Sequence, residues 1–287
     1  MADFSTFRVG GPAQALVVPR SVGDLAALVA GLAEEDIPWY VIGRGSNILV
    51  PDSGVAGVVI VMSDKLAALK HVGAHEKLAN SPARTFEAEA GCSIAKLLNW
   101  CAGEELAGLE FLAGIPGSVG GAIAMNAGAM GHEICAYVDQ VRLLDKSGTV
   151  QVKQISAEEI RYRKWTGGGG AIILSGRFTL SEGSGERIKK ECRHNLSLRK
   201  NRQPHGASAG SFFKNPPGDF AGRLIEEAGL KGQRIGGAEV SQVHANFIVN
   251  KGGATASDIL ELKNTIQQKV RERSGVWLEP EVKILGD

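Results

Sequence analysis

Apolar residues recur at helical spacing across residues 21–35, at positions 22, 25, 28, 29 and 32. This spacing predicts a helix with Ser21 as its N-cap and Pro38 beyond its end. Short apolar runs at residues 15–19 and 39–42 lie on either side of it and predict strands. The first part of the chain is therefore expected to form a strand-helix-strand unit.

Other stretches of the pattern predict further elements. A short helix is expected at residues 93–102, and strands at 48–50, 58–62, 138–144, 149–152 and 171–180. A linker is predicted at residues 181–185, and the basic stretch 186–202 is predicted to be a helix with a solvated face. Residues 255–273 predict an amphipathic helix whose apolar stripe is formed by Ile259, Leu262, Ile266 and Val270.

Composition indicates a soluble globular protein. Hydrophobic residues make up 44% of the 287 residues and charged residues 22%, and this length suits two or three domains. The 32 Lys and Arg residues against 31 Asp and Glu leave a net charge of +1, so nucleic acid is not an expected partner. The sequence displays neither a membrane span nor a signal peptide, and we expect a cytoplasmic protein.

Cysteine and histidine spacing gives no metal signature. The four cysteines lack CxxC spacing and are expected to be reduced packing residues. His71 and His75 lie four positions apart, but no HExxH motif surrounds them and Gly73 lies between them. A solvated loop is the expected structure there, and no metal site is predicted.

The most informative stretch is GLEFLAGIPGSVGGAIAMNAG, residues 108–128. Glycine alternates there with apolar residues, whereas a flexible linker would be rich in serine and charge. Glycine lets backbone N–H groups approach a phosphate, and the PGSVGGA portion can open a helix whose N-terminal end faces an anion. A tightly packed helix start without a ligand is the equal alternative.

A second glycine-rich loop, Gly43-Arg44-Gly45-Ser46-Asn47, follows the strand predicted at residues 39–42. A dinucleotide fingerprint would need a third glycine, a following helix and an acidic residue about twenty positions on. More strand follows instead, with a turn at residues 51–54. The loop is therefore predicted to be a phosphate cradle of successive N–H groups between strands.

These two loops and several later motifs resemble the UDP-N-acetylenolpyruvoylglucosamine reductase family. The motifs in the family's order are TFRVGGPA, GRGSN, GIPGSVGGA, MNAGA, GSFFKNP, GLKGQRIGGAEVS, HANFIVN and LEPEVKILG. The resemblance covers nearly the whole chain. Some relatives close a tyrosine from an inserted loop over the substrate, and residues 176–202 are too few to hold that insertion, so the chain resembles the shorter type.

The resemblance implies an α+β fold. A two-part FAD-binding domain of the vanillyl-alcohol-oxidase type would be followed by a smaller α+β substrate-binding domain. The implied boundaries are residues 1–62 and 63–182 for the two FAD-binding subdomains and 183–287 for the substrate-binding domain. FAD would be bound non-covalently, NADPH would be the co-substrate, and no obligate protein partner is expected.

The resemblance also implies the reaction. NADPH would reduce FAD, and the flavin N5 would pass hydride to C3 of UDP-N-acetylglucosamine enolpyruvate, giving UDP-N-acetylmuramate for peptidoglycan synthesis. Ser211 corresponds to the family's proton donor to C2, and Glu281 to its C-terminal catalytic glutamate. Arg163 is the implied catalytic arginine, because the Tyr162-Arg163 pair is kept. Trp165 replaces the serine usual two positions later, so Arg161 is the alternative.

Binding residues follow from the same motifs. Contacts with the nucleotide part of the substrate are implied for Asn215 and His244, and Lys214 is a candidate contact of the diphosphate. The equal alternative for each of the three is a polar residue satisfied within a turn. Flavin contacts are implied for Gly43, Arg44, Gly45, Ser46, Asn47, Gly114, Ile115, Pro116, Gly117, Ser118, Gly120, Gly121, Asn126 and Gly128.

Two other functions compete with this interpretation. An oxidase or dehydrogenase of the same flavoprotein superfamily often attaches flavin through histidine, but neither loop contains one and His132 lies just beyond the second. A non-catalytic FAD-binding protein would have no use for Ser211 and Glu281 in their motifs. Substitution of either residue separates an enzyme from a binder.

Overall fold

A computed structural model describes residues 1–73, 76–78 and 81–286, so the predicted loop at His75 lies outside the described residues. The chain divides into two compact units, each built from separate segments of sequence. Unit 1 contains residues 1–15, 45–58 and 199–287, and unit 2 contains residues 16–44 and 59–198. The division predicted at residues 62 and 182 differs from these units and stays a prediction.

Both helices and strands build the chain, as the predicted α+β class requires. The helices are α1 (Val22–Glu34), α2 (Ile94–Gly103), α3 (Val119–Ala124), α4 (Gly185–Arg202), α5 (Ala221–Glu227) and α6 (Ala256–Ser274). The strands are β1 (Ala13–Val17), β2 (Trp39–Ile42), β3 (Ile48–Leu49), β4 (Val55–Val61), β5 (Leu69–His71), β6 (Glu76–Leu78), β7 (Ser81–Glu89), β8 (Leu106–Ala107), β9 (Gly128–Ala129), β10 (His132–Glu133), β11 (Val138–Leu144), β12 (Val150–Gln154), β13 (Ile160–Arg161), β14 (Lys164–Trp165), β15 (Ile172–Glu182), β16 (Arg234–Ile235), β17 (Ala238–Val240), β18 (Ile248–Asn250) and β19 (Lys283–Ile284).

Unit 2 is organised around an antiparallel sheet of order β12-β11-β15-β7-β5, to which β6 and β8 add at β7 and β15. Its core includes Phe86 and Phe178, which lie opposite each other in register and stack with ring centroids 5.3 Å apart. Helix α3 packs on β15 through a close approach: a Cβ at Gly176 would lie 2.6 Å from the Ile123 side chain. A larger residue at this glycine would force the Ile123 side chain to shift.

Unit 1 is built around α6 and the sheet β16-β17-β18. The predicted stripe on α6 is confirmed, since Ile259, Leu262, Ile266 and Val270 are fully buried. Thr255 and Asp258 form a capping box at the start of the helix, and Gly275 ends it in the left-handed conformation. Burial of the apolar stripe contributes most of the stability of such a helix.

The turn after β3 is tied to the start of α6 by Asp52. Its carboxylate accepts hydrogen bonds from the Ala256 and Ser257 N–H groups and from the Ser257 hydroxyl, at 2.7 to 2.8 Å. Burial alone would raise the pKa of Asp52, but these three bonds favour the charged form and hold the pKa below its ordinary value. The ionised carboxylate therefore stabilises this junction.

Most predicted elements are confirmed within a few residues, including α1 with Ser21 as N-cap. The linker predicted at residues 181–185 is wrong. Strand β15 continues to Glu182, because Ser181 and Glu182 pair with β8, and α4 begins at Gly185. In the described part of the chain, no helix combines the length and apolar character needed to cross a membrane.

Candidate active site

The two glycine-rich loops meet at Gly43 and Ser118. A Cβ at Gly43 would lie 2.3 Å from the Ser118 hydroxyl oxygen. That hydroxyl in turn caps α3 by accepting a hydrogen bond from the Gly121 N–H at 3.4 Å. Only glycine at position 43 leaves room for this cap, so the first loop contacts the start of the helix that the second loop opens.

Backbone N–H groups at the start of α3 are bonded inside the protein. The Val119 N–H donates to the carbonyl oxygen of Cys92 at 2.8 Å. The Gly120 N–H donates to that of Ala90 at 2.9 Å, and a Cβ at Gly120 would lie 2.7 Å from the Ala90 Cβ. This part of the loop is a packed helix start, and we expect its anion contacts to come from N–H groups that precede Val119.

Asn126 is fully buried and its side chain bonds within unit 2. Its Nδ2 donates to Glu133 Oε2 at 2.6 Å and to the Arg161 carbonyl oxygen at 3.2 Å. Its Oδ1 accepts the Cys135 N–H at 3.2 Å. These bonds hold the loop around Gly128 and the hairpin of β13 and β14, so Asn126 supports the predicted flavin loop from inside the protein.

Arg163 lies in the two-residue turn between β13 and β14, with a left-handed φ of 58°. Its Nη1 donates to the Gly128 carbonyl oxygen at 3.1 Å, and its guanidinium lies 5.0 Å from the centre of the Tyr162 ring. A left-handed arginine is uncommon, and such strain concentrates at functional sites. The side chain of Arg161 is exposed and donates to the adjacent Ile160 carbonyl. This geometry favours Arg163 over Arg161.

Ser211 and Glu281 lie on two segments of unit 1 that are hydrogen-bonded to each other. The Glu281 N–H donates to the Phe212 carbonyl oxygen at 2.8 Å, and Phe213 forms an antiparallel bridge with Pro280. Both predicted catalytic side chains are half-buried. The segments that carry Ser211 and Glu281 are about 70 positions apart in sequence, within the length of one domain. They are adjacent in the structure.

The end of the first glycine-rich loop reaches the same place. Asn47 Nδ2 donates to the Glu281 carbonyl oxygen at 3.1 Å. Immediately beyond, β19 pairs in parallel with β3, which places Lys283 beside Ile48. The segment that carries Glu281 is therefore fixed by the loop on one side and by the Ser211 segment on the other.

The predicted substrate residues already have protein partners. Lys214 forms an ion pair with Glu279, and Asn215 Oδ1 accepts the Ala221 N–H at 3.1 Å. His244 Nδ1 accepts the Asn246 N–H at 3.2 Å, which assigns the proton of the neutral ring to Nε2. Burial lowers the pKa of His244 below its ordinary value, so the neutral ring predominates near neutral pH.

The ring of Trp165 lies so close to Gly167 that it leaves no room for a side chain there. A Cβ at Gly167 would lie 2.6 Å from the Trp165 ring and 2.3 Å from Glu159 Oε2. The indole is buried. The lack of a side chain at Gly167 therefore makes room for the Trp165 ring beside the Arg163 turn.

The cysteines are packing residues, as predicted. Cys92, Cys101 and Cys135 are buried free thiols. Burial raises the pKa of Cys92 to about 11 and that of Cys135 to about 12, so both are neutral thiols. Within residues 1–73, 76–78 and 81–286, no three His, Cys, Asp or Glu side chains gather where they could hold a metal ion; the expectation of no metal site stays a prediction.

Sequence reasoning missed one residue at this site, Asn246. It is 3% exposed and bonds to the backbone of the Ser211 segment. The available signal was its position in HANFIVN, where a polar residue stands inside an apolar run. A buried asparagine in such a run requires specific hydrogen-bond partners.

Comparisons with known proteins show which family the chain resembles. Residues 13–153 match the model for an FAD binding domain, and residues 202–285 match that for the UDP-N-acetylenolpyruvoylglucosamine reductase C-terminal domain. UDP-N-acetylenolpyruvoylglucosamine reductase of Geotalea uraniireducens is 44% identical over 287 residues, covering 100% of this chain and 92% of that protein. The Streptococcus pneumoniae (strain JJA) enzyme is 43% identical over 289 residues, covering 99% of this chain and 92% of its own.

A solved structure of the same family has the same fold as this chain. The crystal structure of UDP-N-acetylenolpyruvylglucosamine reductase from Thermus caldophilus superposes with a TM-score of 0.79 at 37% identity, covering 99% of this chain and 96% of that one. The predicted α+β fold, the FAD-binding part and the family resemblance are thereby confirmed. The chain belongs to the UDP-N-acetylenolpyruvoylglucosamine reductase family.

Proposed function

We propose that this chain catalyses the NADPH-dependent reduction of UDP-N-acetylglucosamine enolpyruvate to UDP-N-acetylmuramate in the cytoplasm. The chain is an FAD-dependent oxidoreductase of peptidoglycan precursor synthesis by family. The observation that carries the proposed residue roles is the hydrogen-bonded pairing of the Ser211 and Glu281 segments, with 2.8 Å between the Glu281 nitrogen and the Phe212 carbonyl oxygen.

FAD, when bound, supplies the electron pair for the reduction. The residues proposed to hold it lie on the loop from Gly43 to Asn47 and the loop from Gly114 to Gly128. Their fit is supported by the close approach of Gly43 to Ser118 and by the exposed backbone at Gly114. Positive φ at Gly45 and Gly114 favours glycine, and a Cβ at Gly45 would lie 1.8 Å from the Phe4 carbonyl oxygen.

The protein must donate one proton to the substrate and stabilise the negative charge that develops on it. Reduction adds a hydride to C3 and then a proton to C2, and between these two steps negative charge develops on C2 and the neighbouring carboxylate. Ser211 donates its hydroxyl proton to C2, and Glu281 donates a hydrogen bond to the developing enol. The planar guanidinium of Arg163 binds the substrate carboxylate with two parallel hydrogen bonds.

Substrate binding uses groups beside the catalytic pair in sequence. Lys214 exchanges its ion pair with Glu279 for a contact with the diphosphate, at little net cost because that pair is partly solvated. The Nε2–H of neutral His244 and the amide of Asn215 supply hydrogen bonds to the nucleotide part. The hydrogen bond that His244 Nδ1 accepts from the Asn246 N–H requires the uncharged ring, which the lowered pKa of His244 favours.

A spectroscopic experiment tests the proposal. The purified protein should have a visible flavin band that NADPH bleaches, and the enolpyruvyl substrate added without oxygen should restore it. A Ser211→Ala variant should be bleached normally and should not be restored by substrate. Restoration only by oxygen would instead indicate an oxidase, and folded protein that binds no FAD would refute the proposal.

A further inference from the structure

The backbone next to Ser211 is held at every polar group of Phe212 and Phe213. The Phe212 N–H donates to the Asn246 carbonyl oxygen at 2.7 Å, and the Phe212 carbonyl accepts the Glu281 N–H. The Phe213 N–H donates to Asn246 Oδ1 at 3.0 Å, and the Phe213 carbonyl accepts Asn246 Nδ2 at 2.8 Å. One asparagine therefore makes three of these four hydrogen bonds.

Only a short side chain with both a donor and an acceptor can make the two bonds to Phe213. The carboxamide of Asn246 imitates a neighbouring strand, and at 3% exposure water does not replace it. Its own N–H donates to His244 Nδ1, so the main chain of Asn246 is fixed as well. On the other side, the Lys214 N–H donates to the Glu279 carbonyl at 2.9 Å, which continues the pairing with the Glu281 segment.

We infer that Asn246 is a positioning residue for proton transfer: it fixes the Ser211 segment so that the serine is held in register with Glu281. The inference rests on the proposed function, in which Ser211 protonates C2. Phe212 and Phe213 are each 1% exposed, so their rings anchor the segment in the core. The hydrogen bonds to Asn246 add a requirement on the backbone, because shifting the segment by one residue would break all three.

Substitution Asn246→Asp provides a sharp test, since aspartate has the same shape. A neutral carboxyl accepts from the Phe213 N–H and donates to the Phe213 carbonyl, as the amide does. An ionised carboxylate cannot donate, and it repels that carbonyl oxygen. Buried carboxyl groups titrate as high as about pH 8 to 9, so the variant should regain function as the pH is lowered from about 9 to about 6.

The two half-reactions are measured by stopped flow on the FAD-loaded protein. At high pH, reoxidation of reduced flavin by the enolpyruvyl substrate should slow about 10- to 100-fold in Asn246→Asp, the loss expected for a misplacement of about 1 Å. Reduction of the flavin by NADPH, which needs no proton from Ser211, should stay within about twofold of wild type. The ratio of variant to wild-type reoxidation rates should rise as the pH falls.

Asn195→Asp is the matched control. Asn195 is 4% exposed and donates to the Glu110 carbonyl, within unit 2. Any loss in this variant should affect both half-reactions equally and should not give a selective, pH-dependent recovery of reoxidation. If Asn246→Asp does not fold at high pH, Asn246→Ser must still slow reoxidation selectively, because it keeps only the backbone bond from the Phe212 N–H and is too short to reach Phe213.

The outcomes separate this inference from the proposed function. Selective, pH-recoverable slowing in Asn246→Asp supports the positioning role. Normal reoxidation in a folded Asn246 variant, or equal slowing of both half-reactions, overturns it while leaving Ser211 as proton donor. Normal reoxidation in Ser211→Ala overturns the role of Ser211 itself, and with it the inference about Asn246.

Discussion

The close approach of Gly43 to Ser118 allows the stability of a Gly43→Ala variant to be predicted. The added Cβ would lie 2.3 Å from the Ser118 oxygen, which is more than about 1 Å inside van der Waals contact. Relieving the overlap by backbone movement costs about 1–3 kcal/mol. Rotating the serine instead sacrifices the cap of α3, at about 1 kcal/mol.

The less costly adjustment sets the loss, so the free energy of unfolding of the apoprotein should fall by about 1 kcal/mol in Gly43→Ala. Ser118→Ala removes the overlapping oxygen and leaves a Cβ at 3.3 Å, so it should lose only the cap, about 1 kcal/mol. In the double variant most of the clash is gone. Its loss should be smaller than the sum of the single losses by at least about 1 kcal/mol.

Urea unfolding and fluorescence titration with FAD measure the two effects. Because both loops are proposed to bind FAD, Gly43→Ala should raise the Kd for FAD by at least about tenfold, or about 1.4 kcal/mol. Gly31→Ala is the control, since a Cβ there meets nothing within 4 Å and α1 should be unchanged or slightly more stable. Additive losses, or wild-type FAD affinity in Gly43→Ala, would refute the argument.

Three further predictions concern single residues. Arg163→Lys should lower kcat about 100-fold, because lysine lacks the two-pronged donor, whereas Arg161→Lys should change it less than about twofold; the reverse order would identify Arg161. Thr255→Ala should lower the free energy of unfolding by about 1 kcal/mol and Thr255→Ser by much less, as measured in urea. Asp52→Asn should lower the thermal midpoint of the protein at pH 7 compared with wild type. Because the pKa of Asp52 is lowered in the folded protein, the difference between their thermal midpoints should persist above about pH 4 and shrink as the pH falls through the lowered pKa; a pH-independent difference would contradict this.

Periodic patterns predicted the regular elements well because their signal is local. The stripe on α6 and the N-cap Ser21 are visible in the sequence and are confirmed. The predicted linker failed because β15 is prolonged by pairing with β8, which lies some 75 positions earlier and leaves no periodic trace nearby.

For the candidate site too, the sequence indicated the local motifs but not the long-range contacts. The motif resemblance indicated Ser211 and Glu281, but the hydrogen bonds that join their segments depend on long-range register. The role of Asn126 as an interior support and that of Asn246 as a backbone partner were likewise hidden, because an asparagine in a turn and one inside an apolar run look alike in sequence. Only the partner atoms distinguish them.

The segmented construction of unit 1 has a consequence for biosynthesis. Unit 2 ends at residue 198, so all of its residues emerge from the ribosome before the last 89 of the chain. The bond from Asn47 to Glu281, by contrast, spans 234 positions and waits for the final strand. Since chains emerge at about 5–20 residues per second, β3 waits roughly 10 to 50 seconds for its partner β19. A nascent chain can therefore fold unit 2 before Ser211 and Glu281 come together.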